Sequence, residues 1–169
     1  MPKPSSSTHP SYFQRYIDLV PEEDLAAAFR QQSLILTKFL YTINEEKSNH
    51  SYAPGKWTIK ELVQHMIDTE RIFAYRALCF ARKDQNSLPG FDENEYAANS
   101  NANIRHWKDL ADEFLLVRRS TEILFGSFTD EALNSSGIAN NNPTSAISMG
   151  FTVIGHVYHH INVLKERYL

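Results

Sequence analysis

The sequence predicts an all-α protein, a four-helix bundle wired up-down-down-up with a long crossover between its second and third helices. Three observations predict it. Four long stretches carry apolar residues at steps of three and four, the period of a helix with one buried face. Glycine and proline are few, 6 and 7, and cluster between those stretches, while alternating strand patterns are hard to find. Between the second and third stretches lies "KDQNSLPGFDENEYAANSNA", residues 83–102, with little helical pattern. Connections in bundles are usually about 2–8 residues, so this length suits a chain that returns along the bundle.

The elements follow in order. Residues 1–19 open on "MPKPSSSTHP", polar and rich in proline and serine. They read as a loose N-terminal arm, leaving residues 20–169 as one domain. The first helix is expected near Pro21, a favourable first-turn residue followed by Glu22, Glu23 and Asp24. Its stripe is Leu25, Phe29, Leu36, Phe39, Leu40 and Ile43, and it ends before the loop signal "NHSYAPGK". The second helix opens on a capping box, Thr58-Ile59-Lys60-Glu61, in which hydroxyl and carboxylate each satisfy an amide of the first turn. It runs to about Arg82 with Leu62, Met66, Thr69, Phe73, Ala77 and Phe80 facing inward. The third spans about Asn103 to Phe128 through Trp107, Ala111, Phe114, Val117, Thr121 and Leu124. The fourth follows "NNNPTS", capped by Thr144 or Ser145, along a seam of Ile147, Gly150, Ile154, Val157, Ile161, Leu164 and Tyr168. Four helices with one apolar stripe each can bury those stripes only against one another.

Composition narrows the function classes. At 169 residues the chain suits one domain. A formal charge of -3 argues against a nucleic-acid binder that relies on a basic surface. No apolar run approaches the roughly 20 residues of a membrane span. The N-terminus lacks the apolar core of a secretion signal, and the single cysteine, Cys79, permits no disulfide within the chain. The expectation is a cytoplasmic protein.

Three of the seven histidines fall in "GHVYHHINVLKERYL", residues 155–169. His156 and His160 are one helical turn apart and leave one flank of the fourth helix, beside Val153. His159 falls opposite the seam with Thr152, Gly155, Asn162 and Glu166, a solvent face. His65 lies in the inner stripe of the second helix, between Leu62 and Thr69. A single histidine in such a stripe is usually a hydrogen-bonded core residue. Three inward imidazoles each need a partner, and one divalent metal satisfies a nitrogen on all three. Their levels agree only if the second and fourth helices are antiparallel. His65 is then ~10 Å from the start of its helix and the pair ~15 Å from the end of theirs. A plain up-down-up-down bundle makes those helices parallel, so the metal site and the long crossover favour the same wiring. That wiring brings "GFDENEYAANSN" and the Lys56–Trp57 loop to the walls of the site.

The segments "GKWTIKELVQHMIDTERIFAYRALCFAR", "LPGFDENEY" and "GHVYHHINVLKERY" resemble the DinB/YfiT-like family of metalloenzymes, over roughly residues 20–169. The resemblance implies a four-helix bundle wired up-down-down-up that holds a divalent metal, zinc or nickel, through His65, His156 and His160. It implies a small-molecule substrate and a homodimer. It also implies a metal-dependent enzyme, foremost a thiol S-transferase using a low-molecular-weight thiol such as bacillithiol.

Three neutral imidazoles leave open positions on a metal, the pattern of a catalytic rather than a structural site. Such a metal can hold a thiol as thiolate or acidify a water. A hydrolase is therefore the alternative, and a non-catalytic metal-binding, stress-related helical module is the third reading. Asp92, Glu93 and Glu95 in the crossover are candidate general bases. Asp68 and Thr69, one turn beyond His65, are candidate supports for a metal ligand. Arg71 and Arg76 could bind a substrate carboxylate or pair with Glu70 or Asp68.

Overall fold

The chain starts with a 3-10 turn at Ser6–Thr8 and a helix α1, Ser11–Ile17, in a computed structural model that describes residues 1–169. There follow α2 (Leu25–Leu40), α3 (Glu45–Ser48), α4 (Ile59–Ala81), α5 (Glu93–Asn99) and α6 (Trp107–Gly126). Next come α7 (Asp130–Asn134), a hairpin of β1 (Ser136–Ala139) and β2 (Asn142–Ser145), and α8 (Ala146–Arg167). The long helices α2, α4, α6 and α8 are the four that the periodicity predicts.

Their starts are set by side chains that satisfy first-turn amides. Asp24 accepts from the Ala27 amide and itself pairs with the Met1 amino group at 2.6 Å. Thr58 and Glu61 form both halves of the predicted capping box, and Ser145 caps α8.

Contacts at the helix ends give the wiring. The Tyr168 hydroxyl, at the end of α8, donates to the Trp57 carbonyl just before α4, so those two helices are antiparallel. Thr58 bonds Asn103 just ahead of α6, so α4 and α6 run the same way. Gly150 near the start of α8 packs on Leu25 at the start of α2, which makes that pair parallel. The bundle is therefore up-down-down-up, and residues 83–102 carry the chain back along it.

The interior is two apolar clusters, not one. One gathers Phe29, Phe73, Phe80, Phe125, Met149 and Phe151, with Phe13 and Ile17 of α1. The other gathers Leu36, Leu40, Leu62, Met66, Leu110, Phe114, Ile161 and Leu164. Between them all four long helices change to polar residues. Gln32, Thr69, Glu70, Arg118, Thr121 and His156 are all buried there. On one side of this belt Arg118 makes a bidentate pair with Glu70, at 2.8 and 2.7 Å, and also donates to Gln32.

Two parts depart from the sequence expectation. Residues 1–19 are not a loose arm. Helix α1 packs on α8, where a Cβ at Gly155 would stand 1.9 Å from the Tyr16 carbonyl oxygen. The face of α8 assigned to solvent is thus covered in its first half, where Thr152 and Gly155 are buried and His159 is half-buried against Tyr16, while Asn162 and Glu166 are exposed as expected. The segment before α8 is a hairpin rather than a plain loop. Asn140 and Asn141, with φ of 49° and 59°, make its two-residue turn. Positive φ at both central positions is the geometry that asparagine tolerates and that matches strand twist.

Candidate metal centre

His65 sits on the second turn of α4, and His156 and His160 sit one turn apart in the middle of α8. The antiparallel crossing brings them to one level. Their ring centroids are 5.0, 5.0 and 4.4 Å apart, and one nitrogen from each ring lies within 4.8 Å of the others. The Nε2 of His156 is 3.1 Å from Nε2 of His65 and 3.0 Å from Nε2 of His160.

A ring nitrogen has either one proton or one lone pair in its plane. His156 Nε2 can therefore make a full hydrogen bond to one neighbour and not to both. A cation between the rings satisfies all three lone pairs. Nitrogens held 2.0–2.1 Å from a tetrahedral zinc stand about 3.3 Å apart, close to the two contacts that His156 makes. The donor set fits a divalent metal.

Protonation points the same way. Burial lowers His65 to about 4. Burial, then the neighbouring imidazoles and Arg15, hold His156 well below the usual histidine range; burial leads the same shift in His160. All three rings are neutral at pH 7, the form that ligates. One ligand lacks its usual support. The Nδ1 of His160 is buried without a partner, where a metal-bound histidine normally donates to an acceptor.

The rings form the floor of a cavity of about 400 Å³, a size that takes a small organic molecule. Its walls come from five places. Helix α4 contributes Thr69, Phe73 and Arg76; the crossover contributes Gly90, Phe91 and Glu93; Trp57 comes from the loop before α4. Helix α1 supplies Tyr12, Phe13, Arg15 and Tyr16, and the hairpin tip supplies Asn140. The Asn140 side chain abuts Gly90 so closely that a Cβ there would lie 2.4 Å from its Oδ1.

The expected wall from the crossover and Trp57 is present; Lys56 lies outside it. Of the three carboxylates proposed as bases, only Glu93 lines the cavity. Asp92 caps α5 by accepting from the amides of Asn94 and Glu95, and Glu95 is exposed outside the cavity. Asp68 accepts from Gln64 in the polar network with Arg105 and Glu113, away from the rings. Arg71 pairs with Glu113 at 2.6 Å, not with Glu70 or Asp68. Thr69 does face the cavity, and its hydroxyl is buried without a partner. The contributions of α1 and Asn140 were missed. The only signal for α1 was the small residues Thr152 and Gly155 on a helix face otherwise taken for solvent.

Comparison with known proteins places this architecture among relatives. The family model of the DinB superfamily matches residues 11–164. The putative metal-dependent hydrolase OB0413 of Oceanobacillus iheyensis is 30% identical over 64 residues, 37% of this chain and 36% of that protein. The matched stretch thus spans about a third of the curated relative. YfiT of Bacillus subtilis, a probable metal-dependent hydrolase with an unusual four-helix bundle topology, superposes with a TM-score of 0.70 at 14% identity. That superposition covers 97% of this chain and 90% of YfiT. A mycothiol-dependent maleylpyruvate isomerase superposes with a TM-score of 0.65 at 10% identity, over 92% of this chain and 60% of the isomerase.

Proposed function

The chain belongs to the DinB superfamily, and on that premise we propose that it is a metal-dependent hydrolase whose ion is held by His65, His156 and His160. The observation that carries the reading is the convergence of three neutral imidazoles, His156 buried and His65 and His160 half-buried, on the floor of an open cavity. Similarity to OB0413 and to YfiT supports hydrolysis as the reaction class.

A divalent ion bound there supplies Lewis acidity and a water acidified to near-neutral pKa. The chain's own residues do the rest. His65, His156 and His160 keep the ion's full charge, because none of them brings a negative charge of its own. Trp57, Phe73 and Phe91 restrict water and give the substrate an apolar surface. Glu93, on the cavity wall, accepts the proton released from the attacking water. The Thr69 hydroxyl, with no partner in the protein, donates to a substrate oxygen beside the rings.

A second reading is thiol transfer or thiol-assisted isomerisation with a small thiol such as bacillithiol. Similarity to the mycothiol-dependent isomerase favours it. A thiol bound at the same ion would be held as thiolate.

Metal content by elemental analysis tests the common premise. About one zinc or nickel per chain is expected, and His65→Ala and His160→Ala should lose it while keeping their helical signal. Negligible metal in all three proteins after reconstitution would overturn the site. Turnover of ester and amide substrates then separates the readings: hydrolysis proceeds without thiol, whereas transfer needs one added.

A further inference from the structure

Two arginines are almost fully buried, and they are treated differently. Arg118 is 2% exposed and is neutralised by Glu70. Arg76 is 5% exposed and takes part in none of the chain's ion pairs. Its one hydrogen bond goes from Nη2 to the Pro89 carbonyl at 2.7 Å. A neutral acceptor leaves the charge in place, and a buried, uncompensated charge is costly. A guanidinium has five N–H donors, and none of its nitrogens is both enclosed and unpartnered. The remaining donors are therefore accessible. Arg76 stands in the wall between the cavity that holds the three histidines and a second one lined by Arg71, Tyr75 and Tyr96, so that Arg71 serves as the control for the second. The rings of Phe73 and Phe91 flank the guanidinium, with its carbon 5.4 and 5.9 Å from their centroids. Neither ring supplies a carboxylate or carbonyl, the partners that a guanidinium takes in its own plane. The one acid that lines this cavity, Glu93, is exposed and forms no ion pair with it.

We infer that Arg76 is the anchor for a carboxylate on the substrate, and that this substrate reaches from the guanidinium toward the histidine floor. The inference deepens the metal-dependent reading and rests on it for the reactive end alone. Arg76 lies eleven residues beyond His65 on α4, a rise of about 16 Å between backbones. Both side chains lean toward the helix N-terminus and Arg76 is the longer, so the guanidinium comes closer to the histidine level than that. The substrate is therefore elongated, with its carboxylate at one end and the bond to be cleaved at the other. One buried positive charge matches one carboxylate; Arg15 stands at the rim, also without an acidic partner, and adds positive field to the entrance.

The test uses metal-free protein, stripped with chelator, so that no ion competes for the acid. Calorimetry compares 4-phenylbutyrate, its neutral amide and phenyl phosphate as probes. The acid should bind at least about tenfold more tightly than the amide, and Arg76→Gln should weaken it roughly 10- to 100-fold. Arg76→Lys, which keeps the charge and loses the planar fork, should fall between. Arg71→Gln, outside this cavity, should bind like wild type. Equal binding of acid and amide, or wild-type affinity in Arg76→Gln or Arg76→Lys, would overturn the assignment. A preference for phenyl phosphate would also overturn it, in favour of a phosphate site. Should Arg76→Gln not fold, the wild-type comparison and Arg76→Lys decide. Failure to bind metal leaves this result intact, and acid–amide equality in a protein that does bind metal sinks only the carboxylate anchor.

Discussion

Helix α4 has two buried polar faces, and they are built on opposite terms. Toward α2 and α6 it presents Glu70, which meets Arg118 in a two-point pair that Gln32 joins. Toward α8 and α1 it presents His65, Thr69 and Arg76, which line the cavity, Arg76 also donating to the Pro89 carbonyl. On the first face the charge is neutralised within the chain, and the Gln32 side-chain nitrogen is left without a partner. The second leaves a shared nitrogen contact that one proton cannot serve, a hydroxyl with no partner and an arginine with no acid. Both cost desolvation free energy, and only the first recovers it from the protein itself. Of the two, only the histidine face opens to the cavity.

The contrast can be broken most strongly at Glu70. Glu70→Ala leaves Arg118 buried and unpaired, and should destabilise by about 3–5 kcal/mol in urea unfolding. The double variant Glu70→Leu with Arg118→Met should recover most of that loss. If the single variant is nearly neutral, the ion-pair face is not a closed structural unit.

The open face should respond instead to ligand. Zinc at a hundred times its dissociation constant should stabilise the wild-type protein by about 2.7 kcal/mol. The gain should vanish in His160→Ala and persist in the Glu70/Arg118 double variant. Loss of the zinc effect in the double variant would show that the two faces are coupled.

The covering of the open face by α1 gives a third distinction. A methyl group at Gly155 meets the Tyr16 carbonyl, so Gly155→Ala should cost about 1–3 kcal/mol by forcing α1 away. It should also weaken binding of cavity ligands and leave the Glu70–Arg118 pair untouched, as read from Tyr16 and Arg118 signals in NMR spectra.

The last distinction is in pH. The unfolded chain protonates His65 near 6.5, whereas the folded chain resists until about 4. Between these values the unfolded state binds more protons, so stability rises with pH and is lost as pH falls through that window. His65→Gln should flatten the acid limb of the metal-free protein by up to one proton, about 1.4 kcal/mol per pH unit. An unchanged slope would show that His65 is not held neutral.

The sequence made one of these faces legible and hid the other. His65, His156 and His160 are found by helical stepping, because two lie one turn apart and the third interrupts an apolar stripe. The capping box at Thr58 and the long crossover are equally local. Glu70 and Arg118 are 48 positions apart, and nothing in either helix's period announces that they meet. Arg71 pairs with Glu113 rather than with a neighbour on its own helix for the same reason. Helix α1 was hidden by its length and by flanking proline and serine. Its stability comes from docking on α8 rather than from its own propensity.

The cavity's parentage has a consequence for how such a protein diversifies. Its floor belongs to α4 and α8, the two helices that hold the bundle's centre. Three of its wall segments belong to α1, the crossover and the hairpin tip, which the bundle's four apolar stripes do not require. Residues there, such as Tyr12, Phe91 and Asn140, can be exchanged without disturbing the level at which the imidazoles meet. The outer wall of the cavity is thus carried on parts of the chain separate from the imidazoles, and it can be reshaped by rewriting the appendages. Thr69, Phe73 and Arg76 share α4 with His65, so the α4 side of the wall is tied to the floor.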